Sequence, residues 1–236
     1  MPLIRKAPAG PPRSDAPSVP ETRRTGTMDE RRSVGDMPRV VTPGERRSAA
    51  DTLRTGTPDE RWSAARALGT APNGTNALGD ALKTETDPRV REAIFTSLVR
   101  LGTRESVDAV VPYLRVDDAN LRMGALDALR AMIGVARAAL PDLLRDPDAD
   151  IRVICCDLAR ELPSPEATRL LCDLLANEPE PNVCAAAVDV LADIGGAAAL
   201  PYLEACAERF GDTTFLTFAV KIAMEQIASE RTAGHG

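Results

Sequence analysis

A residue suited to starting a helix recurs along this chain at a nearly constant interval. Six segments with helical periodicity each begin at a hydroxyl or acidic residue, and the steps between these residues are 30, 31, 30, 32 and 32. The six are Thr57, Asp87, Asp118, Asp148, Glu180 and Asp212. Their side chains can accept hydrogen bonds from the free amides of a first helical turn. A register held over six copies predicts a tandem repeat rather than a single globular core.

The segments that follow these residues have the spacing of amphipathic helices. In DPRVREAIFTSLVRLG, which begins at Asp87, apolar or small side chains recur every three or four residues, and Pro88 suits the first helical position. Further helical segments lie between the capped ones: ERRSAADTLR, NALGDALK, SVDAVVPYLR, ARAALPDLLR, EATRLLCDLL and AALPYLEACAERF. Aromatic residues make up only 3% of the chain, so the core must be aliphatic and rich in alanine, which favours helix.

Each repeat therefore consists of two antiparallel helices joined by short turns. One such pair cannot bury its apolar stripe alone, whereas stacked neighbours bury a continuous core. The sequence predicts an all-α fold, an α-solenoid or superhelix of about six antiparallel helix pairs.

The repeat also carries a family resemblance. The pattern D-P-x-V-R-x-x-A followed by L-x-x-L-G is similar to the HEAT-like repeats of the phycobilisome (PBS) lyase type, from roughly Thr42 to Ile227. The last two copies depart from it, since Cys184 and Leu216 stand where the Arg would be. The resemblance implies the solenoid fold. It also implies an alternative function as a bilin lyase-like or chromophore-attachment chaperone subunit, which would work in a heterodimer.

Near-repeats of fifteen residues set the expected domain boundaries. TMDERRS, TPGERRS and TPDERWS begin at Thr27, Thr42 and Thr57, half a unit apart. We expect Thr42 and Thr57 to start the two helices of the first unit, and residues 27–38 to be a decayed half-repeat. The solenoid is then predicted for residues 42–228. We expect a disordered Pro/Arg-rich tail at 1–41 and a flexible C-terminal tail at 229–236.

Charge and motifs exclude several classes of function. The net charge is -6, and residues beyond 43 account for 30 acidic against 21 basic side chains, which argues against nucleic acid as a partner. The single histidine, His235, lies beside the C-terminus, and the sequence has no metal-binding or phosphate-loop motif. We therefore assign no catalytic, cofactor-binding or metal-binding residue. No run of 18 apolar residues exists, so no membrane partner is expected.

The five cysteines indicate the compartment. Their number is odd, no CxxC motif occurs, and all lie in apolar helical patterns. A cytoplasmic protein is the prediction. Cys155 and Cys156 are adjacent, and they are interpreted as packing residues, with a reactive or ligand-attaching thiol as the alternative.

Stacking in register turns sequence columns into rows of side chains. One pair of rows is expected to form a structural ladder between units, or alternatively an anion-binding stripe: Arg61, Arg91, Arg122 and Arg152 with Asp87, Asp118 and Asp148. A second row is either a solvated helix face or a docking surface for a basic partner segment: Asp127, Asp157 and Asp189, with Arg130 and Arg160 one turn later.

A third set of positions is largely apolar, although it lies off the main buried stripe. It is either helix packing or a groove for an amphipathic helix or flat hydrophobic ligand: Phe95, Met123, Leu126, Val153 and Cys156. Trp62, the only tryptophan, is either a cap of the core or an anchor for a partner. Together the patterns favour a non-catalytic scaffold or adaptor that binds one or more proteins on its concave face.

Overall fold

The computed structural model describes residues 47–233, with side chains as far as Ser229. Every regular element in this range is helical. The helices are α1 (Ala49–Thr55), α2 (Pro58–Leu68), α3 (Gly74–Leu82), α4 (Pro88–Leu101), α5 (Arg104–Val110), α6 (Ala119–Ala131), α7 (Ile133–Ala136), α8 (Leu140–Leu143), α9 (Ala149–Ala159), α10 (Ser164–Leu175), α11 (Pro181–Ile194), α12 (Leu200–Arg209) and α13 (Thr214–Ala233). Short 3-10 helices cover Val111–Arg115 and Ala197–Ala199.

The helices form six pairs that stack in chain order. α1 pairs with α2, α3 with α4, α5 with α6, α8 with α9, α10 with α11, and α12 with α13, while the short α7 packs against α5 and α6. The second helices pack on one another in the order α2, α4, α6, α9, α11 and α13. This arrangement confirms the predicted all-α solenoid of six helix pairs. None of the helices described is long and apolar enough to cross a membrane.

The predicted capping residues start most of the second helices. Thr57 forms a capping box with Glu60, and the carboxylates of Asp87, Asp118 and Asp148 accept amide hydrogen bonds from the first turns of α4, α6 and α9. Glu180 occupies the N-cap position of α11 without a hydrogen bond from its side chain.

The last repeat is shifted by one residue from the predicted register. α13 begins at Thr214, so Thr213 rather than Asp212 directly precedes it. The buried side chains of this helix accordingly include Leu216 and Val220. Leu216 therefore occupies the buried position that Val90 and Ile151 hold directly before the arginine in earlier repeats. Thr217 stands in the column that holds arginine in four of those repeats.

Both ends of the array differ from the expected boundaries. α1 begins at Ala49 with Ser48 as its N-cap, so the first helix starts later than Thr42. The expected tail at 1–41, its half-repeat at 27–38 and residues 42–46 lie outside the described residues. At the other end α13 continues to Ala233, so residues 229–233, expected in a flexible tail, are helical.

Candidate interaction surface

Ion pairs join successive units near the start of the second helices. Arg61 donates from Nε to Oε2 of Glu85 at 2.8 Å and from Nη2 to Oε1 at 2.9 Å. Arg152 makes the same two-point contact with Glu178, at 2.8 and 2.7 Å. Arg91 donates from Nη1 to Asp118 at 3.1 Å. Each pair links one second helix to the segment that leads into the next.

The acids of this ladder are mostly not the expected ones. Only the Arg91–Asp118 pair uses a predicted capping acid among the described residues, whereas Glu85 and Glu178 stand two residues before the N-cap position of their helices. Asp87 and Asp148 direct their carboxylates to the first-turn amides of their own helices instead. Asp118 shows that one carboxylate can do both, since its Oδ1 accepts the first-turn amides and its Oδ2 pairs with Arg91. At the other two joints the acid two residues upstream, Glu85 or Glu178, makes the pair instead.

The arginine column also fixes the loop before its own helix. Arg61, Arg122 and Arg152 donate to the carbonyl oxygens of Gly56, Val116 and Asp146. Asp146 in turn pairs with Arg115, while Arg122 has only the Val116 contact among the described residues. These guanidinium groups are occupied by protein oxygens, which opposes the alternative of an anion-binding stripe.

The pKa of Glu85 reflects these contacts. Burial by itself would raise the pKa of this carboxyl group. The hydrogen bonds from Arg61 and from the backbone amides of Asp87 and Thr86 favour the charged form more strongly, so the pKa lies below its ordinary value. The carboxylate is therefore ionised at neutral pH and holds two segments of backbone.

A second set of ion pairs runs unbroken across α6, α9 and α11, and we call it the charged row. Arg130 pairs with Asp127 at 3.2 Å and with Asp157. Arg160 pairs with Asp157 at 3.7 Å, with Asp189 at 2.8 Å and with Asp193. The structure thus brings together all five residues predicted for this row and adds Asp193.

The two signs of charge differ in exposure along the charged row. The side chains of Asp127 and Asp189 are 63% and 78% exposed, whereas those of Arg130 and Arg160 are 34% and 29% exposed. Asp127 and Asp189 are thus more exposed than the arginines that they bind. Four aspartates against two arginines leave the row with an excess of two negative charges.

An apolar groove lies between α4 and α6, beside the charged row. It encloses about 630 Å³ and is lined by Phe95, Val99, Leu121, Met123 and Gly124, while Asp127 belongs both to the groove and to the charged row. Met123 is 55% exposed. The ring of Phe95 is buried and meets Tyr113 edge to face, with 6.1 Å between ring centroids.

Three residues expected in the groove region lie mainly in the core. Leu126 and Cys156 are buried, and Phe95 exposes only 7% of its surface at the floor of the groove. Cys156 was expected at the side of its helix, but α9 is packed between α6 and α11, which cover both of its flanks. A partner therefore cannot reach Cys156 or Leu126.

Burial also opposes the reactive-thiol alternative. It raises the pKa of Cys155 to about 12. Burial likewise raises the pKa of Cys156, Glu178 acts in the same direction, and the opposing effect of Arg152 is smaller. Neither thiol has the low pKa that reactive cysteines require.

The remaining predicted surface positions are partly exposed. Val153 is half-buried on α9. Trp62 is half-buried and packs against the core, with the Arg66 guanidinium 4.8 Å from the centre of its ring. Both expected roles of Trp62, as a cap of the core and as an anchor for a partner, stay predictions.

An exposed apolar stripe on α13 was missed from the sequence. Phe215, Phe218 and Ile222 are 53%, 65% and 38% exposed, and their spacing puts them on one side of the helix. The one-residue shift of the last repeat explains the omission. Counted from Leu216, Phe218 falls in the same column as Trp62 and Met123.

Comparisons with known proteins define the class. The fold is that of a helical-repeat solenoid, and the family model for HEAT repeats matches residues 47–130 and 136–213. The chain therefore belongs to the HEAT repeat family. No curated protein matches the chain at a significant level. In residues 47–229 no group of three or more His, Cys, Asp or Glu side chains is arranged to hold a metal ion.

Solved structures of other repeat proteins resemble this chain at low identity. An engineered protein is 18% identical, with 77% of this chain and 95% of that chain covered and a TM-score of 0.37. A designed armadillo repeat protein is 15% identical, with 76% and 98% covered and a TM-score of 0.37. The complex of CpcE and CpcF of phycocyanin lyase from Nostoc sp. PCC7120 is 20% identical, with 83% and 99% covered and a TM-score of 0.35.

Proposed function

We propose that this chain is a non-catalytic scaffold or adaptor that binds one or more protein partners on the face formed by its second helices. Stacked helix pairs create an extended concave surface suited to partners. The observation that carries the proposal is the continuity of this face. The charged row crosses three successive second helices and meets the apolar groove at Asp127.

The composition of the face supports binding. Interfaces combine an apolar centre with a polar rim, and here Met123 and Phe95 lie beside exposed carboxylates.

The shifted pKa values of charged residues in the array have structural causes. For Glu85 the raising effect of burial on the pKa is outweighed by the hydrogen bonds from Arg61 and the backbone, and the ion pair with Glu85 raises the pKa of Arg61. Neither shift requires a reaction centre.

Affinity capture with matched variants tests the proposal. The full chain, Met123→Glu on α6 and Tyr202→Glu on α12 are used as baits in extracts of the cells that make the protein. Both substituted residues are exposed apolar side chains, at 55% and 39%, but Tyr202 lies on a first helix. We expect Met123→Glu to reduce the yield of a stoichiometric partner about five-fold or more, while Tyr202→Glu retains it.

Two results would contradict the scaffold proposal. One is a partner that is retained by Met123→Glu, or lost equally from both variants, which would place binding elsewhere. The other is a coloured eluate with visible absorbance. That result would favour the alternative of a bilin lyase-like or chromophore-attachment chaperone subunit working in a heterodimer.

A further inference from the structure

The charged row has a polarity that selects its ligand. Arg130 and Arg160 are each bound by two or more carboxylates, and a smaller fraction of each arginine side chain is exposed than of Asp127 or Asp189. The exposed carboxylates of Asp127 and Asp189 are therefore accessible to an approaching molecule. Because the row carries two more negative than positive charges, its field attracts cations and repels anions.

The groove adds an apolar contact at one end of this row. Met123 presents an exposed thioether side chain above the buried ring of Phe95. Methionine adapts its shape to varied apolar partners. Asp127 lines the groove and also pairs with Arg130, so the apolar and acidic parts form one surface. A ligand that fits both parts has apolar side chains at one end and basic side chains along the rest.

The spacing of the second helices fixes the spacing of those basic side chains. Packed helices lie about 8–10 Å apart, and Asp127, Asp157 and Asp189 sit on three successive second helices. A helix rises about 1.5 Å per residue, so residues seven apart are about 10 Å apart on one face. A helix crossing the second helices can thus present one basic residue to each aspartate. About 20 residues cover the distance from the groove to α11.

We propose that this surface binds a basic amphipathic helix of a protein partner. Apolar side chains of its first turns enter the groove at Met123, and basic side chains seven residues apart reach Asp127, Asp157 and Asp189. This inference rests on the proposed scaffold function and names the chemistry of the partner. The ion pairs within the row hold the aspartates in place before the partner arrives, which lowers the entropic cost of binding.

Defined peptides test the proposal on the full chain. The probe is a fluorescein-labelled 21-residue peptide with leucines on one face of its first two turns. On the same face it carries lysines seven residues apart, with alanine and glutamine elsewhere. One control peptide has glutamate in place of lysine, and a second has a central proline that breaks the helix. Fluorescence anisotropy gives Kd for each peptide.

Matched variants locate the binding surface. Asp157→Asn with Asp189→Asn removes two carboxylates of the charged row, and Asp108→Asn with Asp173→Asn removes two exposed carboxylates on the first helices α5 and α10. If the double variant has a lower melting temperature than the wild type, Asp189→Asn alone replaces it in the comparison, because Asp189 is the most exposed aspartate of the row. We expect Kd for the lysine peptide to rise about ten-fold in the row variant and less than about two-fold in the first-helix variant. Binding should also weaken as salt increases.

Several results would overturn the proposal. They are absence of binding, equal binding of the glutamate peptide, or equal loss in the two double variants. Equal affinity of the proline peptide would replace the helix with an extended basic segment and so overturn the proposal as stated. If the peptides do not bind but capture of a partner still depends on Met123, the basic helix is wrong and the scaffold function stands. If capture is also insensitive to Met123, both are wrong.

Discussion

Arg152 and Glu178 form a two-point ion pair inside the array, with Nε–Oε2 and Nη2–Oε1 distances of 2.8 and 2.7 Å. Their side chains are 10% and 3% exposed. The same arginine donates to the carbonyl oxygen of Asp146, and Glu178 accepts the amide hydrogen bond of Glu180. One pair therefore fixes the loops before α9 and α11, and with them the stacking of the fourth unit on the fifth.

Loss of one partner of this pair should cost more than loss of both. Glu178→Ala leaves the Arg152 guanidinium buried and uncompensated, and we expect the free energy of unfolding to fall by about 3–5 kcal/mol. Arg152→Met combined with Glu178→Leu should recover most of that loss, because no charge remains buried. Urea denaturation measures both values. The exposed Arg54–Asp51 pair is the control, since Arg54→Ala should change stability by less than about 1 kcal/mol. An equal effect of Glu178→Ala and Arg54→Ala would contradict the account.

The lowered pKa of Glu85 predicts a dependence of stability on pH. In the unfolded chain this carboxyl titrates near its ordinary value of about 4.3, and in the folded chain its pKa lies lower. Its contribution to stability is therefore complete above the unfolded value and is lost as pH falls through the folded pKa. We expect Glu85→Gln to lower the free energy of unfolding by about 2 kcal/mol at pH 7, and the difference from the wild type to shrink below pH 4.

Denaturation curves at pH 7, 5 and 3.5 measure this difference. Asp80→Asn is a suitable control, because Asp80 forms an exposed pair with Lys83, and its loss should cost less than about 1 kcal/mol at each pH. A Glu85→Gln deficit that stays constant down to pH 3.5 would show that the carboxylate charge is not the source of the stabilisation.

Substitution by alanine at two helical glycines should change the stability of the protein in opposite directions. A Cβ atom at Gly124 would lie 2.9 Å from Cε2 of Phe95, and that ring is buried against Tyr113. The clash, worth about 1–3 kcal/mol, outweighs the helix propensity gained, so Gly124→Ala should lower the melting temperature. Gly134 has no atom within 4 Å of the added Cβ, and Gly134→Ala should stabilise by about 0.5–1 kcal/mol. Thermal denaturation followed by circular dichroism compares them. A rise in melting temperature for both would mean that Phe95 is free to move.

The buried thiols at positions 155 and 156 should be inert in the folded protein. Burial raises the pKa of both groups, that of Cys155 to about 12. Since the thiolate is the reactive form, we expect iodoacetamide at pH 8 to label neither residue until the array unfolds. Mass spectrometry of digests taken along a urea series measures the labelling. Fast modification of Cys156 in the absence of urea would restore the reactive-thiol hypothesis.

The repeat and its register were predictable because capping and periodicity are local properties. Thr57, Asp87, Asp118 and Asp148 start helices for reasons contained in their own first turns. The ladder partners were harder to predict. Glu85 and Glu178 lie two residues from the capping position, and choosing between neighbouring acids requires the path of the loop. Their recurrence with Asp146 at the same offset was the available signal.

Whether a side chain on the flank of a helix is buried depends on the helices packed beside it. The periodicity of its own sequence does not determine this. Cys156 lies to the side of the main apolar stripe, yet α6 and α11 enclose that side. Five members of the charged row were predicted, but Asp193 and the connectivity of the row were not. Arg160 reaches Asp189 and Asp193 across the space between α9 and α11, and this distance is set only when the units stack.

Hydroxyl-radical footprinting of the array with its captured partner tests the central claim most directly. Met123 and Phe218 on the second helices and Tyr202 on a first helix are all exposed and oxidisable, so one experiment compares the two faces. We predict that the partner protects Met123, with Phe218 protected if the contact extends to α13, while oxidation of Tyr202 stays unchanged. Protection of Tyr202 with unaltered oxidation of Met123 would contradict the assignment of the second-helix face as the binding surface.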